Sequence, residues 1–328
     1  MPPKKEGSLK RRRSETDDDA FQKTVLKKTK SDASQQATVN PQPTNKTLPE
    51  HISFPPRIEN TLRIATWNIC SLASSQKKGF SRYVEAEDAD ILVLTETKVN
   101  QQPVDPVLNA RYPYSYWSIS GTKSYAGTAI LSKHKPLSVT KTLPNHPKPQ
   151  LIKGRIITLE FENHYLIGTY VVNAGRDLQT LGDKKEWNKH FEDYIRDLDK
   201  NKPVIWTGDL NVAPTARAVD LTNAKKNWNK TPGYTEAETT SFKNILNPPE
   251  GINAGKFVDT WRKLHPDDQH YTYFSYRFNC RLKGLGWRLD MFVLSERIAE
   301  HVKMCEIRSE IYGASDHCPV VMEIEINL

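Results

Sequence analysis

Val204-Ile205-Trp206-Thr207-Gly208-Asp209-Leu210-Asn211 passes from strand-forming residues to a glycine, an acid and an amide. The apolar run asks to be buried in a sheet, and Gly208 permits a sharp turn at its end. Asp209 and Asn211 stand two residues apart and so face the same way in extended chain. The carboxyl end of a buried strand is where an α/β fold exposes its chemistry. One acid beside one amide there suits a water or a metal ion near a phosphate. The plainer reading is a strand ending in an ordinary turn, where Asp and Asn are common on their own. The rest of the chain decides between the two.

Upstream, Trp187, His190, Phe191, Tyr194, Ile195 and Leu198 recur at spacings of three and four, which predicts a helix over residues 184–200. Asp183 is placed to cap it, Glu186 completes a start like a capping box, and His190 on the apolar stripe reads as a packing residue. The same order occurs earlier: Phe80, Tyr83 and Val84 mark a helix over residues 80–89, and the strand of residues 90–98 runs into Glu96. An acid at that place must be solvated, paired or bound to a cation, and Lys98 is the obvious pairing partner. Helix followed by strand, twice, suggests two similar halves. The first strand, residues 62–69, places Asn68 near its end. Residues 112–117 are aromatic core material, and residues 124–132 read as a strand with a glycine in it. Strands at residues 155–161 and 164–172 lead through Tyr170 to Asn173-Ala174-Gly175-Arg176, another amide and turn glycine closing an apolar run.

Downstream, Lys225-Lys226-Asn227-Trp228-Asn229-Lys230 fits a phosphate contact and a solvated loop equally. Thr235 and Glu238 form a capping-box pattern for a helix ending at Leu246. A polar and aromatic stretch holds Tyr273 and Arg277. Gly284-Leu285-Gly286-Trp287-Arg288-Leu289-Asp290 then presents Trp287 beside an acid where a strand starts, and Asp316-His317 sits ahead of a terminal strand.

The 328 residues can bury a large core. Residues 1–60 carry 12 Lys and Arg against 8 Asp and Glu, so they hold +4 of the formal net charge of +8. Their Lys, Ser, Thr, Gln and Pro content predicts a disordered basic tail, with Lys10-Arg11-Arg12-Arg13 and Lys27-Lys28-Thr29-Lys30 as clusters of the nuclear-import kind. Residues 61–328 read as the folded domain, which carries the candidate site residues. The widely spaced Cys70, Cys280, Cys305 and Cys318 suggest a reduced, intracellular setting, and no apolar run reaches the roughly 20 residues of a membrane span.

Asn68, Glu96, Tyr170, Asn173, Asp209, Asn211, Asp290, Asp316 and His317 all fall at strand ends or adjoining turns. They contain no Ser-His-Asp nucleophile and no Cys/His zinc set, but they supply oxygen ligands for a hard cation together with an Asp and a His. That suits metal-assisted phosphodiester hydrolysis.

Thr66-Trp67-Asn68-Ile69, Leu94-Thr95-Glu96-Thr97-Lys98, Asn173-Ala174-Gly175-Arg176, Gly208-Asp209-Leu210-Asn211-Val212-Ala213, Gly286-Trp287-Arg288-Leu289-Asp290 and Ser315-Asp316-His317-Cys318-Pro319 follow one another in this order. In this the chain resembles the exonuclease III class of abasic-site (AP) endonucleases, within the deoxyribonuclease I-like superfamily, over residues 62–328. The resemblance implies an α/β four-layer sandwich of two packed mixed β-sheets flanked by helices. It implies Mg²⁺ as cofactor, with Mn²⁺ as the alternative, and a monomer acting in the nucleus on double-stranded DNA with abasic sites or blocked 3′ ends. It makes Asp209 the group that orients or deprotonates water, Asn211 a holder of a phosphate oxygen, and His317 a phosphate ligand oriented by Asp290. Tyr170 would meet the phosphate or leaving group. Glu96 would be the main metal ligand, helped by Asn68 and Asp316, and a second metal position would be bordered by Asp209, Asn211 and His317. Asn173 would hold DNA, Tyr273, Trp287 and Leu289 would line a pocket for the base-less sugar, and Arg176 and Arg277 would enter the helix near the lesion. Two departures stand out: Cys70 stands where the family has a small-residue turn with Asp or Asn, and a thiol is a poor ligand for Mg²⁺, while Val172 replaces a proline often found before the Asn-Ala-Gly turn and bears on local rigidity. Two other readings follow: a weakened enzyme acting as a damaged-DNA binder, and a nuclease of the same fold acting on RNA.

Overall fold

The computed structural model describes residues 47–215 and 220–327. In chain order its strands are β1 (Leu62–Asn68), β2 (Ile91–Thr95), β3 (Tyr114–Ser118), β4 (Thr128–Ser132), β5 (Ser138–Thr140) and β6 (Ile156–Glu160). They continue as β7 (Tyr165–Tyr170), β8 (Val204–Asp209), β9 (Phe257–Asp259), β10 (Asp290–Ser295), β11 (Val302–Ile307) and β12 (Val320–Ile324). One sheet has the order β11-β12-β1-β2-β4-β3 and the other β5-β6-β7-β8-β10-β9. Both are mixed: β1 and β2 run parallel, as do β7 and β8, and every other pair is antiparallel. Each parallel pair is joined through a helix, Phe80–Glu87 in one sheet and Leu181–Asp199 in the other, which bears out the two similar halves.

The alternation of strand side chains builds the layers. Ile64, Ile91, Val93, Ile205, Phe292, Leu294, Val320 and Met322 meet in the core between the sheets. Their odd-numbered or even-numbered neighbours point outward. Ala65, Trp67, Leu92 and Leu94 pack on Phe80, Tyr83 and Val84 of one helix, while Val204, Trp206, Met291 and Val293 pack on Trp187, Phe191, Ile195, Phe242 and Ile245 of two others. Each such side chain, fully buried, contributes roughly 1.5–3 kcal/mol. The result is the expected four-layer sandwich. Carried one step further, the inward-facing parity puts Asn68, Asp209 and Asp290 at the rim of the inter-sheet core.

Four expectations are corrected in detail. The basic clusters lie outside the described residues, but residues 47–60, assigned to the tail by composition, are anchored at points on the domain through Leu48, Ile52 and Phe54 while most of the segment is exposed. Leu48 is 2% exposed among the outer residues of the first sheet, Arg57 Nη1 pairs with Asp90 at 2.7 Å, and the Ile58 N–H donates to Glu323. A few spaced apolar residues suffice when they lie on a layer already formed, and an average over 60 residues hides them. The long helix starts at Leu181, and Asp183 does not cap it. Asp183 sits in the first turn, paired with Lys148 at 2.6 Å, and the hydroxyl of the N-cap residue Thr180 donates instead to the Asn173 carbonyl. Residues 124–127 are a turn, with Ser124, Ala126 and Gly127 at positive φ, so β4 begins only at Thr128. Finally, β2 stops at Thr95 and Glu96 follows it at φ 50°. The capping box of Thr235 and Glu238 forms as read, opening the helix Glu236–Leu246.

Candidate active site

Five strand ends converge at one rim of the sandwich. Register places Asp209 opposite Asp290 on one side and Tyr170 on the other. Gly208 makes the approach of β7 to β8 possible: a Cβ there would lie 2.1 Å from the Thr169 carbonyl oxygen, and its φ of 128° suits glycine alone. Between the sheets the Asn68 amide bridges them, Nδ2 donating to Glu96 Oε1 at 3.0 Å and to Asp209 Oδ2 at 2.9 Å. Asn68 is itself held by the Cys70 N–H on its Oδ1 at 3.0 Å and by the Ser315 hydroxyl on its backbone carbonyl at 2.6 Å. Ser315 also accepts from the His317 N–H at 3.1 Å, which fixes the Asp316-His317 turn to the end of β1.

His317 Nδ1 lies 2.7 Å from Asp290 Oδ2, and both residues are buried. Asp209, Asp290 and His317 bring ligand atoms within 4.8 Å of one another, and Asp290 Oδ1 has no hydrogen-bond partner among the described residues. Asp209 Oδ1 accepts the Asn211 N–H at 3.0 Å. Asn211, at φ 49°, donates through Nδ2 to the Val171 carbonyl at 2.8 Å and accepts from Asn173 Nδ2 at 3.0 Å. Asn173 in turn accepts the Gly175 N–H. The site is thus a continuous hydrogen-bonded set from Glu96 to Asn173.

Its electrostatics are uneven. Burial and then Asp290 push the Asp209 carboxyl up to about 7, against the pull of His317 and the Asn68 amide. Burial favours neutral imidazole at His317, but Asp290 and Asp209 outweigh it and hold the ring protonated well above its ordinary range. Burial also acts to raise Glu96, yet Lys98 Nζ on its Oε2 at 2.7 Å, with the Asn68 amide, holds it below the ordinary carboxylate value. The Lys98 pairing therefore exists beside the site, as the plainer reading had it. Burial, with Glu96 next, raises Tyr170 well above the usual phenol range while Arg155 opposes.

The remaining named residues surround this centre. Tyr273, Trp287 and Leu289 gather with Ala213, Leu221, Tyr234 and Cys280 in a small apolar cluster, and the Tyr273 ring centroid lies 4.9 Å from that of His317. Gly286 precedes Trp287 where a Cβ would press within 2.7 Å of Tyr271 and the Tyr273 carbonyl. Arg176 and Arg277 are half-buried and begin short 3₁₀ turns, Arg176–Leu178 and Arg277–Asn279. Asp316 is half-buried, 3.5 Å from the Ser315 hydroxyl, and its charge acts on both Lys98 and His317 from outside the close group of Asp209, Asp290 and His317. Cys70 keeps the turn at φ 57°, with Sγ 3.9 Å from Lys98 Nζ.

Two supporting residues escaped the sequence reading. Lys184 is buried in the helix Leu181–Asp199 and donates to the Leu210 and Asn211 carbonyls, each at 3.1 Å, fixing the loop that carries Asn211. Burial lowers it to about 8, with Glu238 and Asp209 opposing. The available signal was its place one turn before Trp187 on the apolar stripe. Arg155 donates to the Tyr125 hydroxyl at 2.7 Å, and its guanidinium carbon lies 5.0 Å from the centre of the Tyr170 ring. Nothing in the local sequence marks that contact.

The sequence matches the Endonuclease/Exonuclease/phosphatase family over residues 65–317. The chain belongs to that family. A DNA-(apurinic or apyrimidinic site) endonuclease of Dictyostelium discoideum is 37% identical over 284 residues, 85% of this chain and 74% of that relative. An exodeoxyribonuclease of Bacillus subtilis is 38% identical over 267 residues, 81% of this chain and all of the relative. A Neisseria 3′ phosphatase, NExo, solved with a product DNA hairpin, superposes with a TM-score of 0.70 at 27% identity, covering 81% of this chain and all of the other. The resemblance to the AP endonuclease class and the implied sandwich both hold for this family member.

Proposed function

We propose that this chain is a divalent-metal-dependent AP endonuclease of base excision repair, hydrolysing the phosphodiester 5′ to an abasic site and leaving a 3′-hydroxyl. The observation that carries the reading is Asp209: a buried carboxylate bridged through Asn68 to Glu96 on one side and set against the Asp290–His317 pair on the other. A carboxylate raised to about 7 is matched to accept a proton from the attacking water at neutral pH. Protonated His317, with Nδ1 committed to Asp290, keeps Nε2–H for a phosphate oxygen. The second N–H of the Asn211 amide serves another phosphate oxygen. Tyr170, kept neutral by its burial, donates toward the phosphate or the leaving oxygen.

The residues fit a hard cation: the carboxylates of Glu96 and Asp316 would hold it at the first sheet, assisted by Asn68, whose Nδ2 orients Glu96 Oε1, and Asp209 and Asn211 would border a second position, with the protonated His317 beside it as a phosphate donor and not a ligand. The oxygens present favour Mg²⁺, with Mn²⁺ the alternative. Bound there, a divalent cation neutralises charge developing on the phosphate. The apolar walls of Tyr273, Trp287 and Leu289 accept a sugar without a base and exclude a normal nucleotide by size, which favours abasic DNA over RNA. Asn173, Arg176 and Arg277 complete the DNA contacts. The exodeoxyribonuclease and 3′ phosphatase relatives support accompanying 3′-phosphodiesterase and 3′-to-5′ exonuclease activity. The protein acts as a monomer in the nucleus, its basic tail clusters serving import.

One observation favours a second reading, a lesion binder with weakened catalysis. Cys70 brings sulfur where the family brings oxygen, and Lys98 already occupies Glu96. End mapping separates the two. On a 5′-labelled duplex with one tetrahydrofuran abasic analogue, the enzyme gives a strand ending in 3′-hydroxyl at the position 5′ to the lesion, and chelation abolishes it. Tight binding with no metal-dependent cut establishes the binder instead.

A further inference from the structure

Trp228 is the exposed tryptophan among the described residues, 40% accessible, on a segment that the active site leaves unused. It is not a loose side chain. The Trp228 N–H donates to the Ala224 carbonyl and the Asn229 N–H to the Tyr234 carbonyl, each at 3.1 Å. Asn227 Nδ2 donates to the Thr222 carbonyl at 3.1 Å and Asn229 Oδ1 accepts the Glu236 N–H at 2.7 Å. The backbone on both sides is therefore fixed. The Trp228 ring makes a T-shaped contact with Tyr234 at 5.0 Å, and Tyr234 makes another with Trp287 at 6.3 Å. Trp287 pairs through its backbone with Tyr273, whose ring meets His317. Three contacts between aromatic rings and one backbone bridge thus link the surface to the reacting centre.

The charge around this ring points to its ligand. Lys225 and Lys230 are exposed and Lys226 is half-buried, and none of the three has an ion-pair partner among the described residues. Lysines without an ion-pair partner also stand elsewhere among the described residues, Lys185, Lys189 and Lys243 among them; what sets these three apart is that they lie within three residues of a held, exposed indole. Three unbalanced ammonium groups around a held indole match a polyanion that also offers flat apolar faces. We propose that Trp228 is a stacking platform for an unpaired base of the bound DNA, removed from the reacting phosphate by the three aromatic residues between them, with Lys225, Lys226 and Lys230 holding the adjoining phosphates. This rests on the nucleic-acid reading above and extends it: gapped or frayed DNA is favoured over fully paired duplex.

The test uses the full chain in EDTA and gapped duplexes that carry 2-aminopurine at successive unpaired positions flanking a tetrahydrofuran analogue. A fully paired duplex of the same sequence is the control. Wild type is expected to quench the 2-aminopurine and to bind the gapped DNA more tightly. Trp228→Ala is expected to lose the quench and about tenfold in affinity for the gapped DNA alone, while Trp228→Phe keeps most of both. Replacing the three lysines by Gln lowers the slope of log affinity against log salt by roughly two to three, and Trp228→Ala leaves that slope unchanged. Equal quench and equal gapped-DNA affinity in wild type and Trp228→Ala overturn the platform, as does an equal loss on both DNAs. Cleavage of the paired abasic duplex in Mg²⁺, measured in parallel, reports separately on the AP endonuclease reading and confirms that each variant is folded.

Discussion

The two sheets bring unlike ends to the same rim. At the first, Glu96 is half-buried and already balanced by Lys98, whose backbone N–H is fixed on the Ala126 carbonyl and whose ammonium meets the carboxylate. At the second, Asp209 and Asp290 are both 2% exposed and share a single histidine. One end is neutral and adjustable. The other is short of positive charge and cannot recover it from water, so it holds a proton until a cation or a phosphate-bound proton network takes over. On the proposed reading the pair separates two tasks: the first-sheet end would take a metal in competition with the lysine, and the buried end would carry the proton transfer.

That contrast can be broken from either side. The largest effect is expected at the buried end, where Asp209→Ala removes the base and lowers the single-turnover rate about 10³-fold while abasic-DNA affinity holds, as read by gel shift. Next comes stability. A carboxyl raised from its unfolded value near 4 to about 7 binds more protons in the folded than in the unfolded chain across that window, so its contribution falls as pH rises through it. Asp209→Asn therefore stabilises the protein by on the order of 1–3 kcal/mol at pH 8, and the gain disappears near pH 4, as read by thermal melts without metal. At the adjustable end, Lys98→Gln frees Glu96 and tightens Mg²⁺ by about tenfold in calorimetry. The smallest change is Cys70→Asp, which lowers the Mg²⁺ needed for half-maximal cleavage several-fold by adding a hard oxygen donor. If Lys98→Gln weakens Mg²⁺ instead, the lysine is an organiser of the site and the contrast between the two ends fails.

Much of this was legible in the chain. Asn68, Glu96 and Asp209 close apolar strand runs and Asp290 opens one, and two-residue alternation puts Asn68, Asp209 and Asp290 on the inner face. The turn chemistry of Thr235 and Glu238 is likewise local and read correctly. What stayed hidden depends on partners distant in sequence. Lys184 looks like a surface lysine until Leu210 and Asn211 offer it their carbonyls across 26 and 27 residues. Arg155 meets Tyr125 from 30 residues away. Asp183 had the right side chain for a cap, but the Lys148 ammonium and the use of Thr180 by Asn173 decided the helix start. Leu48 is buried only because a finished outer layer lies beneath it.

The central claim is that Asp209 carries the chemistry while the first-sheet end tunes the metal. It is met most directly by single-turnover cleavage of a duplex bearing one abasic analogue, titrated with Mg²⁺ and Mn²⁺, for wild type, Asp209→Ala and Cys70→Asp. The account predicts cleavage by wild type, its loss in Asp209→Ala at every metal concentration, and a lower metal requirement in Cys70→Asp. Cleavage that survives Asp209→Ala, or binding by wild type with no cut at any metal concentration, contradicts it.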